Sequence, residues 1–122
     1  MLTSEDRQAV GCIEDACTGV LTLAEGLEQS ELLASRLTKH EILRQLSSVC
    51  DAHASLSAEA CAAMEELDFE GWANTAQRIR EGGESEANAS WFAIRAMAPT
   101  TLGWIRFYRS QKAELFSLPE EA

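Results

Sequence analysis

Apolar side chains recur at steps of three and four residues along almost the whole chain, and nowhere do they alternate long enough to make a strand. That periodicity suits one face of an α-helix and no other regular element. Val10, Ile13, Cys17, Val20 and Ala24 form a first stripe. Ile42, Leu46, Val49, His53 and Leu56 form a second, with Leu43 and Cys50 alongside. Thr3 or Ser4 can cap a first helix over about 4–25, where Glu5 and Asp6 suit the positive end of the helix dipole and Gly26 suits the exit. Residues 27–37 read as a connection holding a short helical piece capped by Ser30. Thr38, with Glu41 three residues on, reads as a capping box that opens the second helix. Ser57 and Glu59 restart or bend it, and 60–67 continues the helix or forms a separate piece. A third helix over about 69–80 carries Trp72, Ala76 and Ile79 on one face and ends at Gly82-Gly83. A further helix over about 86–97 aligns Trp91, Ile94 and Ala98. Pro99 is expected to stop it and to open a last helix over about 99–116, with Leu102, Ile105 and Tyr108 inward and Trp104 and Leu115 beside them.

Four or five helices with short connections bury such stripes best against one another. The expected fold is therefore all-α, an antiparallel four- to five-helix up-and-down bundle, in one domain over 1–122. With 122 residues the chain can bury roughly two-thirds of its unfolded surface without a metal or disulfide staple. The charged start, Met1 to Arg7, matches neither a secretory signal nor a transit peptide, and no apolar run approaches the ~20 residues of a membrane span. A cytoplasmic protein is expected, with Cys12, Cys17, Cys50 and Cys61 as free buried thiols.

A net charge of -10 argues against general nucleic-acid binding. The charge is uneven, however: no acidic residue falls between Glu86 and Glu114, a stretch that holds Arg95, Arg106, Arg109 and Lys112. Arg106, Arg109 and Lys112, with Trp104, Phe107 and Tyr108 interleaved, make a basic aromatic ridge suited to a partner protein or a nucleotide. The plainer alternative is a solvated basic face paired with the acidic first helix. No Gly-rich phosphate loop, Gly-x-Ser-x-Gly elbow or His-Glu-x-x-His pair is present. The residues three before His40 and His53 are Leu37 and Cys50, so the Glu-x-x-His pairs of di-iron bundles are missing too. Cys50 and His53 share a helix face, half of a zinc site that Cys12, Cys17 or Cys61 would have to complete. Otherwise Cys50 is core and His53 is hydrogen-bonded at the core edge. No cofactor is implied.

The stretch Leu33-Ala-Ser-Arg-Leu-Thr-Lys-His-Glu-Ile-Leu-Arg-Gln-Leu46, continuing into Val49-Cys-Asp-Ala-His-Ala-Ser-Leu-Ser57, resembles the HepT-like members of the HEPN superfamily. Trp72, Trp91 and the Pro99-x-x-Leu102 step fall in the order expected there, and the resemblance covers about nine-tenths of the chain. It implies a small helical protein, a homodimer and partner of an MNT-type minimal nucleotidyltransferase in a toxin–antitoxin-like system. Active members carry an Arg followed after a few residues by His-x-Tyr, which supports ribonuclease activity. Here Arg78 and Arg80 can fill the Arg position, but Glu81 to Asn88 contain neither His nor Tyr. RNA cleavage needs a base, an acid and phosphate stabilisation in one place. A non-catalytic interaction module is therefore expected. The alternatives are a divergent ribonuclease using Arg78 or Arg80, and a bundle that binds a metal or small molecule.

Overall fold

A computed structural model describes residues 1–117. Helix α1 (Ser4–Ala24) opens with a capping box in which Thr3 accepts from the Asp6 amide and Asp6 accepts from the Thr3 amide. A short α2 (Gln29–Ala34) leads into α3 (Arg36–Ser55), and a second short piece, α4 (Ala58–Ala63), follows it. Then come α5 (Phe69–Glu81), α6 (Gly83–Phe92) and α7 (Ala98–Gln111), with a π-helical turn (Ala93–Met97) between the last two and a 3-10 turn (Ala113–Phe116) after them. The described residues contain no strand.

The long elements run alternately up and down. Asp6, near the start of α1, accepts hydrogen bonds from the Ser57 amide and hydroxyl just past the end of α3. Trp72 of α5 donates its indole N–H to Thr101 of α7 at 3.0 Å, and Thr75 lies against the Met97 sulfur. The Leu2 amide donates to the Leu115 carbonyl, which brings the two ends of the described chain together. An antiparallel bundle results, α1 packing against α3 and α7, and α5 against α3 and α6. Its core holds Val10, Ile13, Cys17 and Val20 from α1, Ile42, Leu46 and Val49 from α3, Trp72 from α5, and Ile105 and Tyr108 from α7. These are the stripes the periodicity identifies.

Three local expectations are corrected. Helix α3 starts before Thr38: Ser35 caps it, accepting from the Thr38 amide, while Glu41 turns outward to Arg44 and Gln45 instead of closing a box. Ser30 lies inside α2, and the amide of its N-terminal flank, Glu28, is satisfied by the Glu31 carboxylate. Pro99 stands in the first turn of α7, as expected, but no break in the helix precedes it. Its missing N–H and the clash of its ring with the carbonyl four residues back are absorbed by the π turn, where the Ala98 amide reaches the Ala93 carbonyl. The chain thus runs as one continuous rod from Gly83 to Gln111. Cys12 is exposed and Cys61 half-buried, so only Cys17 and Cys50 of the four free thiols are buried.

Candidate functional site

His53 was expected at the core edge with a hydrogen bond. It is 5% exposed, and neither ring nitrogen has a partner among the described residues. Helix α3 brings it there because position 53 continues the stripe Ile42, Leu46, Val49 and so faces the bundle. Phe69 meets the imidazole edge-on, with centroids 5.2 Å apart, and Trp72 lies tilted beneath it at 5.6 Å. Desolvation pushes the imidazole down to about 4, with only a small opposing pull from Asp68, so the ring is neutral at pH 7.

The ring forms part of the wall of a cleft of about 390 Å³ between α3, α4 and α5. Cys50, Asp51, Cys61, Phe69 and Arg80 also line it. A smaller hollow of about 220 Å³ adjoins it, sharing Cys50, Asp51 and Arg80. The Cys50 thiol is directed at the Trp72 carbonyl at 3.6 Å and is pushed up to about 11, first by burial and then by the Asp51 charge. Cys17 rises to about 12 through burial, reinforced by Cys50. Neither thiol is a nucleophile in such a setting. Cys50, His53 and Cys61 share a wall, yet among the described residues no three of His, Cys, Asp and Glu converge as metal ligands.

Arg78 and Arg80, the candidates for a nuclease site, face apart. Arg78 is half-buried toward α6 and donates to the Ser85 hydroxyl at 3.3 Å. Arg80 is exposed, donates to Gln77 at 2.8 Å and reaches the cleft on the α3 side. His40 is exposed near the start of α3, away from both hollows.

The ridge on α7 divides as well. Arg109 pairs with Glu14 of α1 at 3.1 Å and lies over the Phe116 ring at 4.7 Å, so the acidic first helix takes up part of the positive face. Lys112 lies over the Tyr108 ring at 5.7 Å, and Trp104, half-buried, stacks on Tyr108 at 6.0 Å. Arg106 is exposed. Tyr108 itself is fully buried: its hydroxyl donates to the Glu66 carboxylate and accepts from the Glu66 amide. Burial and the bond to Glu66 push its phenol up. The ring is a core strut, because position 108 continues the inward stripe of Leu102 and Ile105, and it offers no surface to a partner.

Sequence reasoning missed Asp51 and Phe69 as cleft residues and missed Phe92 altogether. Phe92 is 59% exposed beside a hollow of about 180 Å³ at the π turn, which Met97 and Thr101 line and Glu66 and Asp68 rim. The available signal was a phenylalanine outside the stripe of Trp91, Ile94 and Ala98. No helix among the described residues is long and apolar enough to cross a membrane. Compared with protein-family models, with curated proteins and with solved structures, the chain matches none.

Proposed function

We propose that the chain is a HepT-like helical interaction module of the cytoplasm. In this reading it forms a homodimer and acts by docking to a minimal nucleotidyltransferase in a toxin–antitoxin-like pair. The observation that carries the non-catalytic part is the dispersal of the polar groups that nuclease chemistry would need together. Arg78 is turned to α6, Arg80 to α3, Tyr108 is sealed against Glu66, and His40 stands apart on the surface. The docking part draws on the resemblance and on Phe92. An exposed phenyl beside an apolar hollow with two carboxylates on its rim fits a partner that offers an apolar side chain flanked by basic ones. The net charge of -10 favours a basic partner in the same way. Sedimentation of the chain alone and with the nucleotidyltransferase tests this. A dimer that joins the enzyme in a stable complex is expected, and an inert monomer with no affinity for it overturns the proposal.

One observation favours a second reading, a divergent ribonuclease: His53 and Arg80 line a single cleft. Against it stand an imidazole held near 4, a poor base at neutral pH, and a protein field that repels phosphodiesters. RNA cleavage by the purified chain that disappears in Arg80→Ala and survives in Arg78→Ala would establish this reading. Absence of turnover removes it.

A further inference from the structure

One stripe of the long rod faces outward from the end of α6 into α7. Phe92, Ala96, Thr100, Gly103 and Phe107 recur there at three- and four-residue steps, all exposed except the half-buried Ala96. The rings at its two ends, Phe92 and Phe107, are 59% and 46% exposed. Phe107 is nonetheless held in place, edge-on against Trp104 with centroids 5.6 Å apart. The hollow beside Phe92 measures about 180 Å³, below the roughly 300–1,000 Å³ of small-molecule sites, and suits a single side chain. Gly103 lies inside α7, where glycine weakens a helix, and a Cβ there would meet no neighbour within 4 Å. Packing within the chain does not call for the missing side chain, whereas close approach of a second backbone does. Charge divides along the same stripe. Glu66 and Asp68 rim the hollow at the Phe92 end. Arg106 stands exposed beside Phe107 at the other end, without an ion pair among the described residues.

We propose that this stripe is a self-pairing surface, on which two copies of the chain lie antiparallel about a two-fold axis beside Thr100. Phe107 of each copy enters the hollow next to Phe92 of the other, and Arg106 meets the Glu66 and Asp68 carboxylates there. The register follows from the spacing. The midpoint of 92 and 107 falls between Pro99 and Thr100, so Gly103 comes opposite Ala96, and these small residues let the two helices approach closely. Roughly 20 Å of helix separates the two rings. Knob, hollow and both signs of charge share one face, as a contact between identical surfaces requires. Leu37, 86% exposed and flanked by Arg36 and Lys39, offers similar chemistry from the start of α3. It lies off the stripe, and its entry into the hollow joins unlike surfaces, which builds rings or open chains instead of a closed pair. The inference rests on the homodimer part of the proposed function and names its face. The nucleotidyltransferase then meets the assembled pair, so loss of the pair loses the enzyme as well.

Sedimentation equilibrium of the full chain tests the face. Wild type is expected to be a dimer at micromolar concentration. Phe92→Asp and Phe107→Asp are each expected to weaken it about a hundredfold, because symmetry counts every change twice. Arg106→Glu weakens it about tenfold, and less at high salt. Gly103→Gln guards against misfolding: it raises helix propensity and meets no neighbour in its own chain, yet its side chain fills the space between the helices. It is expected to be monomeric with full helix content by circular dichroism. Thr100→Cys, in a background of Cys12→Ser and Cys61→Ser, is expected to link two copies under mild oxidation, since a residue beside the axis faces its own copy. Leu37→Asp leaves the dimer unchanged. A wild-type dimer that survives Phe107→Asp and Gly103→Gln, or that Leu37→Asp dissolves, overturns this face and leaves the homodimer standing. Absence of the cross-link at position 100 overturns it equally. A wild-type chain that sediments as a monomer overturns both.

Discussion

His53 and Asp6 are both buried and both ionisable, and they make opposite arrangements. His53 stays neutral because nothing compensates for its charge: burial holds the folded imidazole near 4, whereas the unfolded chain takes up a proton from about 6.5 downward. Between those values the unfolded state binds more protons, so stability falls as pH falls and levels off below 4. Burial is the larger influence on the imidazole, and the Asp68 charge opposes it. Chemical denaturation at pH 7 and pH 5 is expected to differ by about 2 kcal/mol on this account, and His53→Phe is expected to remove most of that difference. Asp6 remains charged. Burial alone would raise its carboxyl, but hydrogen bonds from Ser57 and Thr3 outweigh it and hold the group below its ordinary 3.8. Its contribution is therefore present above that value and lost as pH drops through the folded one. Asp6→Ala, read by urea unfolding at pH 7, is expected to cost about 2–3 kcal/mol, since it strips the α1 capping box and leaves the Ser57 amide bare. The sequence displayed the oddity of His53, a polar ring in an apolar stripe. It could not show that Asp51 and Arg80 would line the same cleft, because that depends on how α3 and α5 are set against each other.

The helices themselves were largely legible. Stripes at three- and four-residue steps located α1, α3, α5 and the inward face of α7, because burial of a continuous apolar face decides where a helix lies. Termini were less legible, since several residues compete to cap each one. Ser35 and Thr38 are both good caps. Ser35 prevails because Glu41, the second half of the competing box, is drawn to Arg44, which holds its carboxyl down near 2. Pro99 shows another limit. A proline inside a helix needs relief from its missing donor, and a single π turn supplies that relief without breaking the rod. Past the π turn, Leu102, Ile105 and Tyr108 of α7 are buried in the core. The Gly82-Gly83 junction did end a helix, but it starts the next one with no intervening loop. Gly82 has φ 74° and ψ -172°, a conformation open almost solely to glycine. A Cβ there would meet no neighbour, so the penalty is backbone strain alone. Gly82→Ala is expected to cost about 1–3 kcal/mol in thermal or denaturant unfolding, without altering the helix content seen by circular dichroism. Thr101→Val strands the buried indole N–H of Trp72 and is expected to cost about 1–3 kcal/mol by the same measurement.

At the scale of the molecule, polar ties hold the bundle shut where its helices meet: Asp6 to Ser57, Trp72 to Thr101 and Tyr108 to Glu66. These ties use side chains that a nuclease or a nucleotide site would otherwise present to solvent. What remains outward is a strongly acidic body with Phe92 standing clear of the rod beside its apolar hollow. The docking account therefore stands or falls on that surface. The most direct measurement is co-purification from the native host of the wild-type chain and its Phe92→Asp variant, with partners identified by mass spectrometry and both chains checked for the same unfolding midpoint. The account predicts a nucleotidyltransferase in stoichiometric yield with the wild type and its loss with Phe92→Asp. Wild-type chain that emerges alone, or an enzyme retained equally by both, contradicts it.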